Sequence, residues 1–194
     1  MPTSTSSTAP QSVAAFTLKA IAETDLDQVL ALDQAALGGL WTREGYRREI
    51  DSDASILLGL WAGPRLVGLG CAWFIVDEAH ITAIATEPQF HRQGLGQLML
   101  WALLRISHGR GMKRATLDVN CNNHGAIALY EKFGFKEVGI RKKYYPNGDH
   151  AAILWLNRLD WPQFRETLQT WKTQVSDRLG KTPWHWADVD FEPI

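Results

Sequence analysis

Hydrophobic and polar positions along the first third of the chain predict a strand followed by two helices. Residues 16–21 alternate between apolar and polar side chains, as in a half-buried strand. Residues 23–37 then place leucine and valine at helical spacing. Residues 42–50 predict a second, shorter helix with Thr42 as its N-cap.

The middle and later segments predict a sheet that is partly antiparallel and partly parallel. Residues 56–63 and 65–76 form a predicted hairpin around a Gly63-Pro64 turn, and a strand over 79–88 closes at Pro88. Further along, the pattern predicts a helix over 95–106, a strand over 114–120, a helix over 123–135 with Asn123 near its cap and Gly134 as its stop, and a strand pair over 136–145 and 150–156. This order predicts an α/β (α+β) domain with a mixed sheet flanked by helices.

The two ends of the chain differ in composition from the segment between them. Residues 1–14 are rich in Ser, Thr, Pro and Ala, which predicts a disordered lead-in to a domain over 15–157. Residues 158–194 predict a tryptophan-rich helix and tail, in which Asp160 could cap the helix and Pro162 suits its first turn. The apolar stripe of this helix fits either packing on its own domain or docking to a partner.

Composition and charge exclude several classes of partner. The formal net charge of −1 gives no reason to expect a nucleic acid or a membrane surface. Cys71 and Cys121 lie in no metal-binding spacing, so no metal is expected. The N-terminus has neither the basic start nor the apolar core of a secretory signal, and no apolar run is long enough for a spanning helix. We therefore expect a cytoplasmic protein with free thiols.

A glycine-containing loop runs directly into the helix predicted after residue 94. Glycines at the start of a helix let an anion approach its unpaired N–H groups, although a tight turn would use the same residues. The dinucleotide pattern G-x-G-x-x-G fails because Met99 stands at its third glycine, and no Lys-Ser/Thr pair follows for a P-loop. The loop by itself is compatible with two interpretations, a phosphate-binding site and a simple turn.

The segments ITAIATEPQFHRQGLGQLMLWALL, NNHGAIALYEKFGF and YYPNGDHAAI together resemble the GNAT acyl-CoA-dependent N-acetyltransferases. Within that family they resemble the RimI-like branch, which acetylates the N-terminal alanine of a ribosomal protein. The resemblance is close over about residues 78–156, and the residues after about 158 have no recognised counterpart. It implies a GNAT fold with a six- to seven-stranded sheet and acetyl-CoA as co-substrate.

The resemblance also implies where acetyl-CoA binds. The family pattern Q/R-x-x-G-x-G/A corresponds to residues 91–96, with His91 as a departure at the first position. The family binds the CoA diphosphate through backbone N–H groups and pairs the pantetheine arm with the preceding strand, which splays from its neighbour. The positions that match are Arg92, Gln93, Gly94, Leu95, Gly96 and Gln97 for the diphosphate, Ile84, Ala85 and Thr86 for pantetheine, and Asn123 as a further CoA contact.

Two catalytic residues follow from the same resemblance. Asp118 matches the family's proton acceptor, where the branch commonly has Glu, so Asp118 could act directly, through a water, or only as a loop-stabilising hydrogen-bond partner. Glu78 is the second candidate for the base. Tyr130 matches the general acid that protonates the leaving thiolate. Since the family transfers acetyl directly, Cys121 is interpreted as a bystander.

Residues that select the acceptor are expected in 36–50 and 141–150, where Trp41, Tyr144 and Tyr145 could serve either recognition or packing. Three functions therefore remain open. The first is acetylation of the N-terminal alanine of a small-subunit ribosomal protein. The second is acetylation of protein lysines or a small amine, and the third is a non-catalytic acyl-CoA-binding scaffold. The sequence does not indicate an oligomeric state.

Overall fold

The computed structural model describes residues 15–181 and 185–186. The predicted lead-in over 1–14 and most of the predicted tail lie outside the described residues. The strands are β1 (Ala15–Ala20), β2 (Ser55–Ala62), β3 (Arg65–Ile75), β4 (Glu78–Thr86), β5 (Arg114–Asn120), β6 (Lys136–Arg141), β7 (Ala151–Asn157) and β8 (His185–Trp186). The helices are α1 (Leu26–Ala36), α2 (Arg43–Asp51), α3 (Leu95–Gly109), α4 (His124–Lys132) and α5 (Phe164–Leu179).

All of the described strands join one mixed sheet in the order β6-β7-β5-β4-β3-β2-β1-β8. The neighbouring pairs are antiparallel except β4 with β5 and β1 with β8, which are parallel. The predicted mixed sheet of six to seven strands is confirmed, and the two-residue β8 adds an eighth. The segment after β5 crosses to the sheet edge as β6 and returns as β7 between β6 and β5.

Helices cover both faces of the sheet, each over its own hydrophobic core. On one face, α1 and α2 bury Leu26, Val29 and Tyr46 against β2 and β3. On the other face, α3 lies at the centre, and almost every apolar side chain along it is buried. Because α3 is apolar nearly all round, it needs cover on its outer side as well as on the sheet side.

That outer cover comes from α5. Phe164, Leu168, Val175 and Leu179 are buried in the same core as α3, which confirms the predicted helical extension and favours packing over docking for most of its stripe. The helix begins at Phe164 rather than near Asp160. The prediction that Asp160 caps it was therefore wrong, because residues 160–163 form turns before the helix starts.

Candidate active site

The parallel strands β4 and β5 separate soon after they meet. They pair only over Glu78–His80 of β4 and Arg114–Thr116 of β5. Beyond this point β4 continues to Thr86 paired with β3, and β5 continues to Asn120 paired with β7. The diverging strands leave a wedge-shaped gap in the middle of the sheet, and each has one backbone edge that faces it.

The predicted pantetheine positions lie on the β4 side of this gap. Ile84, Ala85 and Thr86 are in register with Gly70, Leu69 and Gly68 of β3, so their other edge is turned toward the gap. The register between β3 and β4 shifts at Cys71/Ala72, and this bulge increases the local twist of β4. Beyond His80, β4 pairs with only one of the described strands, so its other backbone edge is turned toward the gap.

The glycine loop closes the wide end of the gap at the start of α3. Gly94 has φ +99°, in the left-handed region that glycine adopts without strain. The N–H groups of Gln97 and Leu98 both donate to the carbonyl oxygen of Gly94, at 3.0 Å each. The N–H groups of Leu95 and Gly96 open the helix and have no partner within it. These N–H groups and the positive end of the α3 dipole can hold an anion.

His91, the departure from the family pattern, links the loop to β4. Its Nε2 donates to the carbonyl oxygen of Thr86 at 3.1 Å, at the last residue of the strand. This contact fixes the loop relative to the strand edge that the resemblance assigns to pantetheine. Sequence reasoning did not find it, because nothing in the local pattern shows where a side chain five residues along will fold back.

Asp118 lies on the face of β5 opposite the α3 core. Leu117 and Val119 on either side of it are buried under α3, so alternation along the strand turns Asp118 toward the other face. Its side chain is 12% exposed, and its Oδ1 accepts from Nε of Arg141 at 3.1 Å. The candidate base is thus a largely enclosed carboxylate held by a guanidinium from the end of β6.

Tyr130 approaches from the other layer, on α4. It is 8% exposed, and its ring packs edge-on against Phe135 with centroids 5.7 Å apart. Burial, with a smaller contribution from Tyr145, raises the pKa of the Tyr130 phenol to about 12. A phenol with such a pKa stays protonated at neutral pH, as a general acid must.

Tyr145 is the residue that connects these two candidates. Partial burial raises its pKa, and Tyr144, Asp118 and Cys121 raise it further by their charge. Tyr145 also raises the pKa of Tyr130, so it is near both Asp118 and Tyr130. The predicted acid and the predicted base are therefore both near one tyrosine, for which the sequence left recognition and packing open.

The loop that carries Tyr145 is held against the end of β5 by hydrogen bonds. Asn120 Nδ2 donates to Asp149 Oδ2 at 2.8 Å, and the N–H of Cys121 donates to the carbonyl oxygen of His150 at 2.9 Å. Hydrogen bonds from Asn120 and from Asn147 hold the pKa of Asp149 below its usual value. This anchoring keeps Tyr145 in position next to the site.

The second candidate base, Glu78, belongs to a chain of polar groups at the narrow end of the gap. The Thr116 hydroxyl donates to Glu78 Oε1 at 2.8 Å, and His80 Nδ1 lies 2.8 Å from the Thr116 oxygen. Because the single hydroxyl hydrogen is committed to Glu78, His80 must donate through Nδ1. A neutral His80 then carries its lone pair on Nε2.

Trp41 forms part of an aromatic surface on the α2 side of the site. It stacks on Trp73 with ring centroids 6.3 Å apart, and Trp73 lies 6.2 Å from His80. Buried Asp33 fixes this position by accepting from the backbone N–H groups of Leu40 at 2.8 Å and Trp41 at 3.2 Å. Trp41 therefore packs against the core at Tyr46 on one side and stacks on Trp73, the neighbour of His80, on the other.

Asn123, the predicted helix cap, is the N-cap of α4. Its Oδ1 accepts from the N–H of Ala126 at 3.1 Å, at the first turn of α4.

Among the described residues, no three His, Cys, Asp or Glu side chains are arranged to hold a metal ion. No helix in the described ranges is both long enough and apolar enough to cross a membrane.

The mixed sheet, its gap and the glycine loop before α3 have the arrangement of an N-acetyltransferase of the GNAT class. A family model described as the Acetyltransferase (GNAT) family matches residues 26–135, and the chain belongs to this family. The resemblance stated from the sequence is thereby confirmed. The match ends before α5 begins.

The chain's relatives include ribosomal protein bS18-alanine N-acetyltransferases. That of Salmonella typhimurium is 33% identical over 140 residues, which is 71% of this chain and 94% of the relative. The crystal structure of the Escherichia coli ribosomal-protein-S18-alanine N-acetyltransferase matches with TM-score 0.69 and 30% identity, over 74% of this chain and 94% of that one. PaiA N-acetyltransferase of Thermoplasma acidophilum in complex with coenzyme A shares the fold, with TM-score 0.63 and 17% identity, over 74% of this chain and 99% of that one.

Proposed function

We propose that this protein transfers an acetyl group from acetyl-CoA to the α-amino group of the N-terminal alanine of a small-subunit ribosomal protein. The names of the relatives supply the acceptor. The observation that carries the proposal is the gap between β4 and β5, which has Asp118 on one bordering strand and the glycine loop before α3 beside it. Such a protein would work in the cytoplasm, with a ribosomal-protein N-terminus as its partner.

The donor would lie along the gap between β4 and β5. The N–H groups from Arg92 to Gln97 would hold the CoA diphosphate, since they lie at the start of α3, where a helix favours an anion. Ile84, Ala85 and Thr86 would pair with the pantetheine arm through the backbone edge that faces the gap, and Asn123 would add a CoA contact. A β4 amide facing the gap would polarise the thioester carbonyl that acetyl-CoA supplies.

Asp118 and Tyr130 would handle the two protons. An α-amino group has a pKa near 8, so Asp118 has only to accept a proton from an amine that is already partly neutral, directly or through one water. Tyr130 would donate a hydrogen bond to the departing thiolate and supply its proton. The amine attacks the thioester directly in this scheme, so Cys121 carries no acyl group.

The decisive experiment uses the purified full-length protein, acetyl-CoA and two short peptides, with products identified by mass. One peptide has a free N-terminal alanine and no lysine, and the other has a blocked N-terminus and one lysine. We expect one acetyl group on the first peptide and none on the second. Reactions without enzyme correct for spontaneous acetylation of the amine.

Each other outcome would change the proposal. Acetylation of the lysine peptide alone would assign the protein to lysine or small-amine acetylation. Absence of transfer to either peptide, with CoA still bound by calorimetry, would support a non-catalytic acyl-CoA-binding protein. Absence of CoA binding would overturn the assignment of the gap itself.

A further inference from the structure

The C-terminal helix α5 reaches the loop that the proposed function assigns to the CoA diphosphate. The Nη2 of Arg178 donates to the carbonyl oxygen of Arg92 at 2.7 Å, between residues that are 86 positions apart. The aliphatic part of the same side chain covers Gly94, because a Cβ built there would lie 3.1 Å from Arg178 Cδ and 3.3 Å from its Cγ. Helix and loop are therefore in direct contact.

The position of Arg178 is fixed by the core. Val175 and Leu179, the neighbouring residues on the inner stripe of α5, are each 1% exposed. Farther along the helix, the indole N–H of Trp101 on α3 donates to the carbonyl oxygen of Leu168 at 3.0 Å. The helix that carries Arg178 is thus packed against α3, and the side chain extends from it over the loop.

Arg178 also adds a positive charge beside the loop that would bind the diphosphate. A guanidinium has five N–H donors in a planar fork, and the carbonyl oxygen of Arg92 takes only one of them. The remaining donors lie next to the N–H groups that would hold a diphosphate. Arg92 itself is a second cation of the loop, and Lys132 a third, since its Nζ contacts Gln97 Oε1 at 3.0 Å in the first turn of α3.

We infer that Arg178 is a binding residue for the donor: it holds the loop at Arg92 in its binding conformation and contributes a charged hydrogen bond to the CoA diphosphate. This inference rests on the proposed function, because it assumes that CoA binds at this loop. It gives the C-terminal helix a role beyond packing. Arginine suits the role, because its fork can bind a carbonyl and a phosphate oxygen at the same time.

The test compares three variants of the full chain by isothermal titration with CoA and with pantetheine, which has no phosphate. Arg178→Gln removes the charge, Arg178→Lys keeps the charge without the fork, and Arg165→Gln removes an exposed charge elsewhere on α5. Charged hydrogen bonds are worth enough that we expect Arg178→Gln to weaken CoA about tenfold. We expect pantetheine binding to stay unchanged, Arg178→Lys to recover part of the loss, and Arg165→Gln to match wild type.

Steady-state kinetics provide a second readout that a purely structural role would not give. Arg178→Gln should raise the KM for acetyl-CoA and leave kcat close to wild type. Equal CoA affinity in wild type and Arg178→Gln, or an equal loss for CoA and pantetheine, would overturn the inference while leaving the proposed function intact. A wild-type protein that binds no CoA would overturn both.

Discussion

The Nε–H of Arg141 donates to Oδ1 of Asp118 at 3.1 Å, from the last residue of β6 to the middle of β5. The two strands are not neighbours, because β7 lies between them with Ala151 opposite Arg141 and Ile153 opposite Asp118. The arginine side chain therefore reaches across a strand to hold the carboxylate. Since Asp118 is one methylene shorter than the glutamate expected by resemblance, this contact sets where its free oxygen points.

Replacing Asp118 by Asn should lower kcat/KM for the alanine peptide by about 100-fold at pH 7, a typical contribution of a general base. The defect should shrink at pH 9, where the α-amine is neutral without help. Asp118→Glu should retain most of the activity, and Arg141→Gln should lose less than Asp118→Asn. Initial rates with a saturating donor measure all of these variants.

Glu78→Gln is the matched comparison for this prediction, because Glu78 is the carboxylate at the narrow end of the gap. It should leave the rate within about threefold of wild type if its role is confined to the chain with Thr116 and His80. A larger loss in Glu78→Gln than in Asp118→Asn would move the base from β5 to β4.

Tyr130→Phe should lower kcat by about 100-fold and leave the affinity for CoA within twofold, because the ring and its contact with Phe135 remain while the proton donor is lost. Tyr144→Phe is the control, because this substitution also removes a tyrosine hydroxyl and Tyr144 is 51% exposed. An unchanged kcat in Tyr130→Phe would remove Tyr130 from the mechanism.

Helix caps, helix stops and strands that depend on neighbouring residues could be predicted from the sequence. Thr42 accepts from the N–H of Gly45 at 3.1 Å and Asn123 caps α4, as side chains of these types do wherever a helix starts. Gly134 has φ +84°, as expected of a helix stop. Periodicity also located β5 to the residue, over Arg114–Asn120.

The contacts that assemble the site could not be predicted in the same way. The Arg178 contact with Arg92 joins segments far apart in the chain, and the contact of Arg141 with Asp118 depends on the order of strands in the sheet. The position of Tyr145 likewise depends on a loop that folds back to the end of β5. Periodicity carries information about one element at a time, so contacts between elements follow only once the topology is known.

Alanine substitutions at two glycines should change the free energy of unfolding in opposite directions. A Cβ at Gly59 would lie 2.6 Å from Nε1 of buried Trp61 and 2.9 Å from Cδ1 of Leu66, so Gly59→Ala should destabilise the fold by about 1–3 kcal/mol through overpacking. Gly109 ends α3 with nothing within 4 Å of such a Cβ, so Gly109→Ala should stabilise by up to about 1 kcal/mol. Urea unfolding midpoints test both, and equal midpoints would contradict the packing described around β2.

The pH dependence of kcat tests the environment of Tyr130 directly. Burial disfavours the phenolate and raises the pKa of Tyr130 to about 12. The phenol therefore stays protonated and neutral through the whole range from pH 7 to 10. The rate should therefore rise as the amine deprotonates, then level off without an alkaline decline below pH 10. Rates corrected for the enzyme-free reaction provide the measurement. A decline centred near pH 10 in wild type, absent from Tyr130→Phe, would show that the phenol titrates as if exposed to water, which is incompatible with its burial on α4.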